Sequence, residues 1–211
     1  VFVPILNREI YVYFPTCVMR RQITGAATFN PALAAHCRAL RAEMPGVQKS
    51  NYGGWQSSPT LFHDPSPAVR PVHDAVLAAL TDLSATVFAS PPQTIDVKSE
   101  LVAWVNINEA GDYNARHVHL PSTWSGVYYV EVGETPAGAR PHSGHLELYD
   151  PRGDGIDGSG GALNHQARIT ITPEPGLLVV FPGYLPHFVH PYAGETERIS
   201  IAFNARARRH V

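Results

Sequence analysis

A mainly β, α+β fold is what this 211-residue sequence predicts, a two-sheet jelly roll with supporting helices in its N-terminal third. Three observations carry that expectation. Apolar residues recur at helical spacing twice before residue 90. After Pro91-Pro92 the texture changes to short runs rich in Val, Ile, Tyr and Phe, separated by Gly and Pro, which is the signature of many short strands. The length suits one domain, residues 1–211, with helical support over about 29–90 and a jelly-roll core over about 95–205.

In chain order, strands are expected near 11–14 and 18–24. Asn30-Pro31 then opens a helix, with Asn as N-cap and Pro at the first position; Leu33, Cys37, Leu40 and Met44 form its stripe and Pro45-Gly46 stops it. The segment from Asn51 to Trp55, with Gly53 and Gly54 inside it, reads either as a substrate-covering loop or as a plug under the sheets. A second helix starts near Pro67 or Pro71 and runs to about Leu83, carrying Val69, Val72, Val76, Leu80 and Leu83 on one stripe. Strands follow at roughly 97–108, 114–119, 125–132, 145–149, 167–172, 177–181, 187–190 and 197–204. Residues 150–161 have the composition of a flexible loop, and their three aspartates lack the spaced pattern of a calcium loop.

Bulk properties exclude several classes. The longest apolar run, Leu177-Leu178-Val179-Val180-Phe181, is far too short to span a bilayer, and no signal peptide is visible at the N-terminus. A net charge of -2 argues against nucleic acid as the main partner; only the tail is basic, and Arg206, Arg208, Arg209 and His210 read as a solvated terminus. Two cysteines make no disulfide framework, and Cys37 on a helix stripe reads as a buried reduced thiol, so the expected location is cytoplasmic.

Chemistry concentrates in His117-Val118-His119. On an extended strand, side chains two apart share a face, so the two imidazoles point the same way and offer two ligands of a metal. His187, aimed by the Pro182-Gly183 turn into the next strand, offers a third. His190 falls on the opposite face, and His142, His145 and His165 lie in or near loops. Arg198 and Ser200 alternate with Ile199 and Ile201, so the polar pair shares a strand face, where a guanidinium can grip an anion by a two-point fork. Asn106 and Asn108 likewise share a face. On the 125–132 strand, taking Glu131 as water-facing sends Val127 and Tyr129 outward and Tyr128 inward.

The order His-x-Asp/Glu, distant His, then Arg-x-Ser resembles that of the 2-oxoglutarate and Fe(II)-dependent oxygenases. Gly53-Gly54-Trp55-Gln56-Ser57, Asn114 with His117 and His119, Ser125-Gly126-Val127-Tyr128-Tyr129-Val130 and Phe181-Pro182 are also similar to a branch of that superfamily, over residues 50 to 204. The resemblance implies a double-stranded β-helix, Fe(II) held by His117, His119 and His187, and 2-oxoglutarate gripped by Arg198 and Ser200. Asn106, Asn108 and the inward Tyr128 are expected as further cosubstrate contacts, Asn106 by similarity to the Asn-x-Tyr-x-x-Gly stretch of alkylation-repair oxygenases, in which Asn108 here stands at the tyrosine position. It implies a dioxygenase hydroxylating a small molecule or peptide, with a homodimer left open.

His119 departs from the pattern, since the superfamily has a carboxylate there. Three imidazoles leave a ferrous centre one charge unit more positive and also suit zinc, copper or nickel. Asp112 is the nearest acid that could ligate instead. The competing expectation is a cupin-like three-histidine enzyme without 2-oxoglutarate, either a thiol dioxygenase or a zinc enzyme. A non-catalytic β-sandwich leaves the histidines and Arg198 without a purpose.

Overall fold

Helix α1 (Ala26–Glu43), the first element after strand β1 (Met19–Gln22), begins earlier than its Asn30-Pro31 signal. In this computed structural model, which describes residues 15–136, 138, 140–152 and 168–210, Gly25 makes the entry with φ 78°. Asn30 is not the N-cap. Its amide turns inward instead, donating to the Val130 carbonyl at 2.9 Å and accepting from the Tyr128 hydroxyl at 2.6 Å. A polar residue that would cap an isolated helix here satisfies buried groups of the sheet beneath. The buried face is Ala26, Asn30, Leu33, Ala34 and Cys37, and the helix stops before Pro45-Gly46, leaving Met44 outside it and exposed. Burial pushes the Cys37 thiol up to about 12, which makes it an inert core group.

Strands β2 (Asn51–Tyr52) and β3 (Trp55–Gln56) follow, then helix α2 (Arg70–Val87) with Pro71 in its first turn. It runs one turn past Leu83 because Ser84 is buried too, its hydroxyl accepting from the Trp124 indole N–H at 2.8 Å. The remaining strands are β4 (Ile95–Asp96), β5 (Leu101–Asn108), β6 (Tyr113–His117), β7 (Trp124–Glu131), β8 (Leu146–Tyr149), β9 (Arg168–Ile171), β10 (Leu177–Pro182), β11 (His187–Val189), β12 (Arg198–Ala205) and β13 (Arg208–Arg209). The strand expected at 11–14, the 153–161 part of the expected loop, and His165 lie outside the described residues.

Two sheets face each other as a jelly roll: β1-β10-β7-β12-β5-β3 and β2-β6-β11-β8-β9. Alternation along β12 sends Ile199, Ile201 and Phe203 to the helix side, where they pack with Leu33, Val76 and Leu80. A second cluster, with Leu146, Leu148, Val179 and Phe181, fills the space between the sheets. Each such side chain contributes about 1.5–3 kcal/mol by leaving water. Residues 51–56 tie the sheets together, since Asn51 pairs with Asn114 of one and Trp55 with Ile107 of the other. The basic tail is not a free solvated end: Arg208 and Arg209 pair with β4, and both Arg206 and Arg208 meet Glu100. No helix is long and apolar enough to cross a membrane among the described residues.

Gly126 of β7 has a steric reason. A Cβ there would lie 2.3 Å from Phe203 Cζ and 2.5 Å from the Val179 carbonyl oxygen. Gly126→Ala is therefore expected to destabilise the protein by about 3 kcal/mol, read as a lowered urea midpoint at unchanged m-value.

Candidate metal centre

Strand pairing builds the site. His117 at the end of β6 stands directly opposite His187 at the start of β11. His119 lies beyond the end of β6, so the expected strand carrying both histidines stops at the first of them; a hydrogen bond from the His119 backbone N–H to the Gly183 carbonyl, 2.8 Å, keeps the continuation beside the Pro182-Gly183 turn. One nitrogen from each of the three rings can be chosen so that all lie within 4.8 Å of one another. Two rings are oriented by their own chain. The Nδ1–H of His117 donates to the Ala115 carbonyl at 2.6 Å and that of His187 to the Leu185 carbonyl at 2.9 Å, tautomers that leave Nε2 unprotonated in both. His119 Nδ1 lies 3.2 Å from the Asn204 amide nitrogen. Phe181 packs edge-on to His187, and Trp104 lies beside His119.

Burial keeps these imidazoles neutral, which is their ligating form. It lowers His117 from its ordinary value; His119 is held at about 4 and His187 at about 3, burial acting first and the neighbouring His117 second. The sign for stability follows. Because both folded values lie below the ordinary 6.5, the unfolded chain binds more protons between them, so this stability is present above 6.5 and lost as pH falls. The metal-free protein is expected to lose up to about 1.4 kcal/mol per pH unit for each of these two histidines on acidification from about pH 6 to pH 4. Chemical denaturation of chelator-treated protein across that range checks it; a flat profile would contradict neutral burial.

The histidines open onto a cavity of about 510 Å³, its mouth included, which Asn106, Ser200 and Arg198 also line. Arg198 is 2% exposed, and its Nη1–H donates to Asn108 Oδ1 at 3.2 Å, across the β5–β12 register. The Tyr129 ring lies 5.2 Å from the guanidinium carbon and its hydroxyl interacts electrostatically with Arg198, yet neither that hydroxyl nor Arg198 Nε has a partner in hydrogen-bond geometry. None of the described residues lining the cavity is acidic. Asn108 therefore sits behind Arg198 and supports it, while Asn106 lines the cavity with Oδ1 unpartnered.

Tyr128 is the correction. It is fully buried on the helix side, bonded to Asn30, and Tyr129 takes the cavity side. Glu131 misled the assignment. A bulge between Ile199 and Ser200 places Glu131 opposite Ile199 and Tyr129 opposite Ser200, so these two residues of β7 face opposite ways. Glu131 meets Arg38 of α1 and is only partly exposed, on the helix side of β7. Sequence reasoning also passed over Trp104 and Asn204, although each continues an alternation already noted, with Asn106 and with Arg198-Ser200. His190 turns away to Glu147 at 2.9 Å, and Asp112 is engaged in a turn, accepting the Glu109 backbone N–H at 2.7 Å. Among the described residues no other His, Cys, Asp or Glu trio is so grouped.

Comparison with known proteins bears on the family and the fold. Residues 102–204 match the family described as "Putative 2OG-Fe(II) oxygenase". A Pseudomonas putida prolyl-4-hydroxylase superposes with a TM-score of 0.59 at 22% identity, covering 92% of this chain and 93% of that one. A prolyl hydroxylase from Trichoplax adhaerens, in complex with a hypoxia inducible factor peptide, gives 0.63 at 15%, covering 90% and 83%. The epimerase SnoN, in complex with Fe3+, alpha ketoglutarate and nogalamycin RO, gives 0.58 at 14%, covering 92% and 81%. These likenesses establish the double-stranded β-helix. No curated protein matches the chain.

Proposed function

We propose that this chain, whose residues 102–204 belong to the 2OG-Fe(II) oxygenase family, is a 2-oxoglutarate and Fe(II)-dependent dioxygenase acting as one domain on a small molecule or peptide. One observation carries the reading: a cavity with no acidic group among its described lining residues is lined both by three neutral imidazoles and by a buried guanidinium. A cation that far from water needs an anion, and the described residues provide none at the cavity. The donor set fits the family's groups. Three neutral imidazoles suit a divalent first-row metal, and the unpartnered Arg198 Nε–H and Tyr129 O–H suit a carboxylate.

In this reading His117, His119 and His187 hold the metal, and Arg198 with Ser200 grips the far carboxylate of 2-oxoglutarate. Iron with 2-oxoglutarate supplies, when bound, the oxidising power to hydroxylate an unreactive C–H bond. The chain's residues supply geometry and dryness. Asn108 steadies Arg198, and Val127, Leu146, Phe181 and Val189 form an apolar wall that limits water. No side chain has to act as a strong acid or base. The substrate class is supported by the likeness to enzymes whose structures are complexes with a peptide and with nogalamycin RO. A reducing cytoplasm is the proposed setting, in keeping with free Cys17 and Cys37.

Anaerobic addition of Fe(II) and then 2-oxoglutarate tests the reading. The expected result is the visible charge-transfer absorption of their chelate, followed by succinate in air. No absorption, tight zinc retention and no succinate would instead favour a three-histidine enzyme that does not use 2-oxoglutarate.

A further inference from the structure

We propose that Asn204 is a positioning residue for the metal centre: its amide oxygen accepts the His119 Nδ1–H and so leaves Nε2 of that ring to the metal. The inference rests on the metal-centre reading above and extends it to a residue outside the ligand set. Two observations meet here. The Asn204 amide nitrogen lies 3.2 Å from His119 Nδ1, while its oxygen is buried without a partner. If the amide N–H donates to Nδ1, the neutral ring carries its proton on Nε2 and that nitrogen cannot ligate. Turning the amide over puts Oδ1 on Nδ1–H and frees Nε2, with the amide nitrogen moving to the buried position the oxygen now holds. Oxygen and nitrogen of an amide are distinguished by such networks rather than by shape.

The other two rings follow the same rule. His117 and His187 each give Nδ1–H to the carbonyl two residues upstream, Ala115 and Leu185. His119 has left the strand, and Asn204 of the facing sheet takes the place of that carbonyl. Asn204 continues the cavity-side alternation of Arg198, Ser200 and Ala202. One face of β12 thus orients a metal ligand near one end and carries the anion grip from the other. A neutral acceptor also suits this centre, because it adds no charge to a shell of three neutral imidazoles.

The probe is Zn(II). In the zinc-loaded, 15N-labelled protein, long-range proton–nitrogen correlation should show His119 protonated at Nδ1 and metal-shifted at Nε2. Asn204→Leu should weaken Zn(II) binding about 10- to 100-fold with little change in the melting temperature of the metal-free protein, whereas Asn204→Asp should bind at least as tightly as the unmodified protein. Coordination through His119 Nδ1, or unchanged Zn(II) affinity in Asn204→Leu, overturns the proposal. Should the leucine variant not fold, the ring assignment in the unmodified protein decides alone. Failure of the metal-centre reading looks different: the unmodified protein itself then binds no Zn(II), and both ideas fall.

Discussion

His187→Ala is expected to abolish stable metal binding while leaving a folded protein. His187 is the most buried of the three histidines, its ring held by the Leu185 carbonyl and by Phe181. Its imidazole cannot be replaced from nearby, because His190 is turned to Glu147 and no other trio of ligands gathers among the described residues. Loss of a partner that merely orients a ligand lowers metal affinity about 10- to 100-fold, so loss of the ligand itself should exceed that. The stability change should be smaller, about 1–3 kcal/mol for the cavity, and partly offset because a group whose burial is unfavourable to its charged form has gone. Cobalt(II) titration followed by its visible spectrum separates the two effects. A variant that binds cobalt normally would show that the trio is a packed core cluster and not a metal centre. Acid sensitivity should change as well: without His187 the loss of stability below pH 6 becomes shallower, since one of the two most strongly depressed groups no longer titrates.

How much of this was legible in the sequence depends on which rule each residue obeys. Period-two alternation read β12 correctly because one of its faces packs on helices and the other on a cavity, so apolar and polar residues separate cleanly. The same rule failed on β7, where both faces are covered and a bulge reverses the parity between Tyr129 and Glu131. A bulge is set by the partner strand, and nothing in the local run of Ser125 to Glu131 announces it. Asn30 shows the other kind of failure. As a local signal it is a good N-cap, yet two buried groups on β7 override that role, and the helix starts five residues earlier. His117 and His187 were visible as candidates, but their direct opposition is a matter of register between strands seventy residues apart, which no window on the sequence contains. The short strands β2, β3, β4 and β13 were missed for a related reason: two residues carry no periodicity, and these exist only through their partners.

Arg198→Met should separate structure from function more sharply than removal to alanine. Methionine approximates the length of the side chain without its charge, so packing on the Tyr129 ring survives while the guanidinium does not. An unpaired buried cation is unfavourable to folding, and burial already lowers the Arg198 pKa. The metal-free variant is therefore expected to melt no lower than the unmodified protein, the lost bond to Asn108 being offset by relief of that charge. Binding of 2-oxoglutarate should behave oppositely. Losing a two-point, charge-assisted grip in a dry cavity removes about 3–4 kcal/mol, or roughly 10²- to 10³-fold in affinity. Arg198→Lys should fall between, since the ammonium keeps the charge but cannot reproduce the planar fork. Metal affinity measured without cosubstrate should change little in either variant, because Arg198 is not among the gathered ligands. Equal loss of metal and 2-oxoglutarate binding, or a marked fall in melting temperature, would make Arg198 a structural residue. Opposite signs in stability and cosubstrate affinity are what a cation held ready for an external anion requires, and a surface or structural arginine has no reason to produce them.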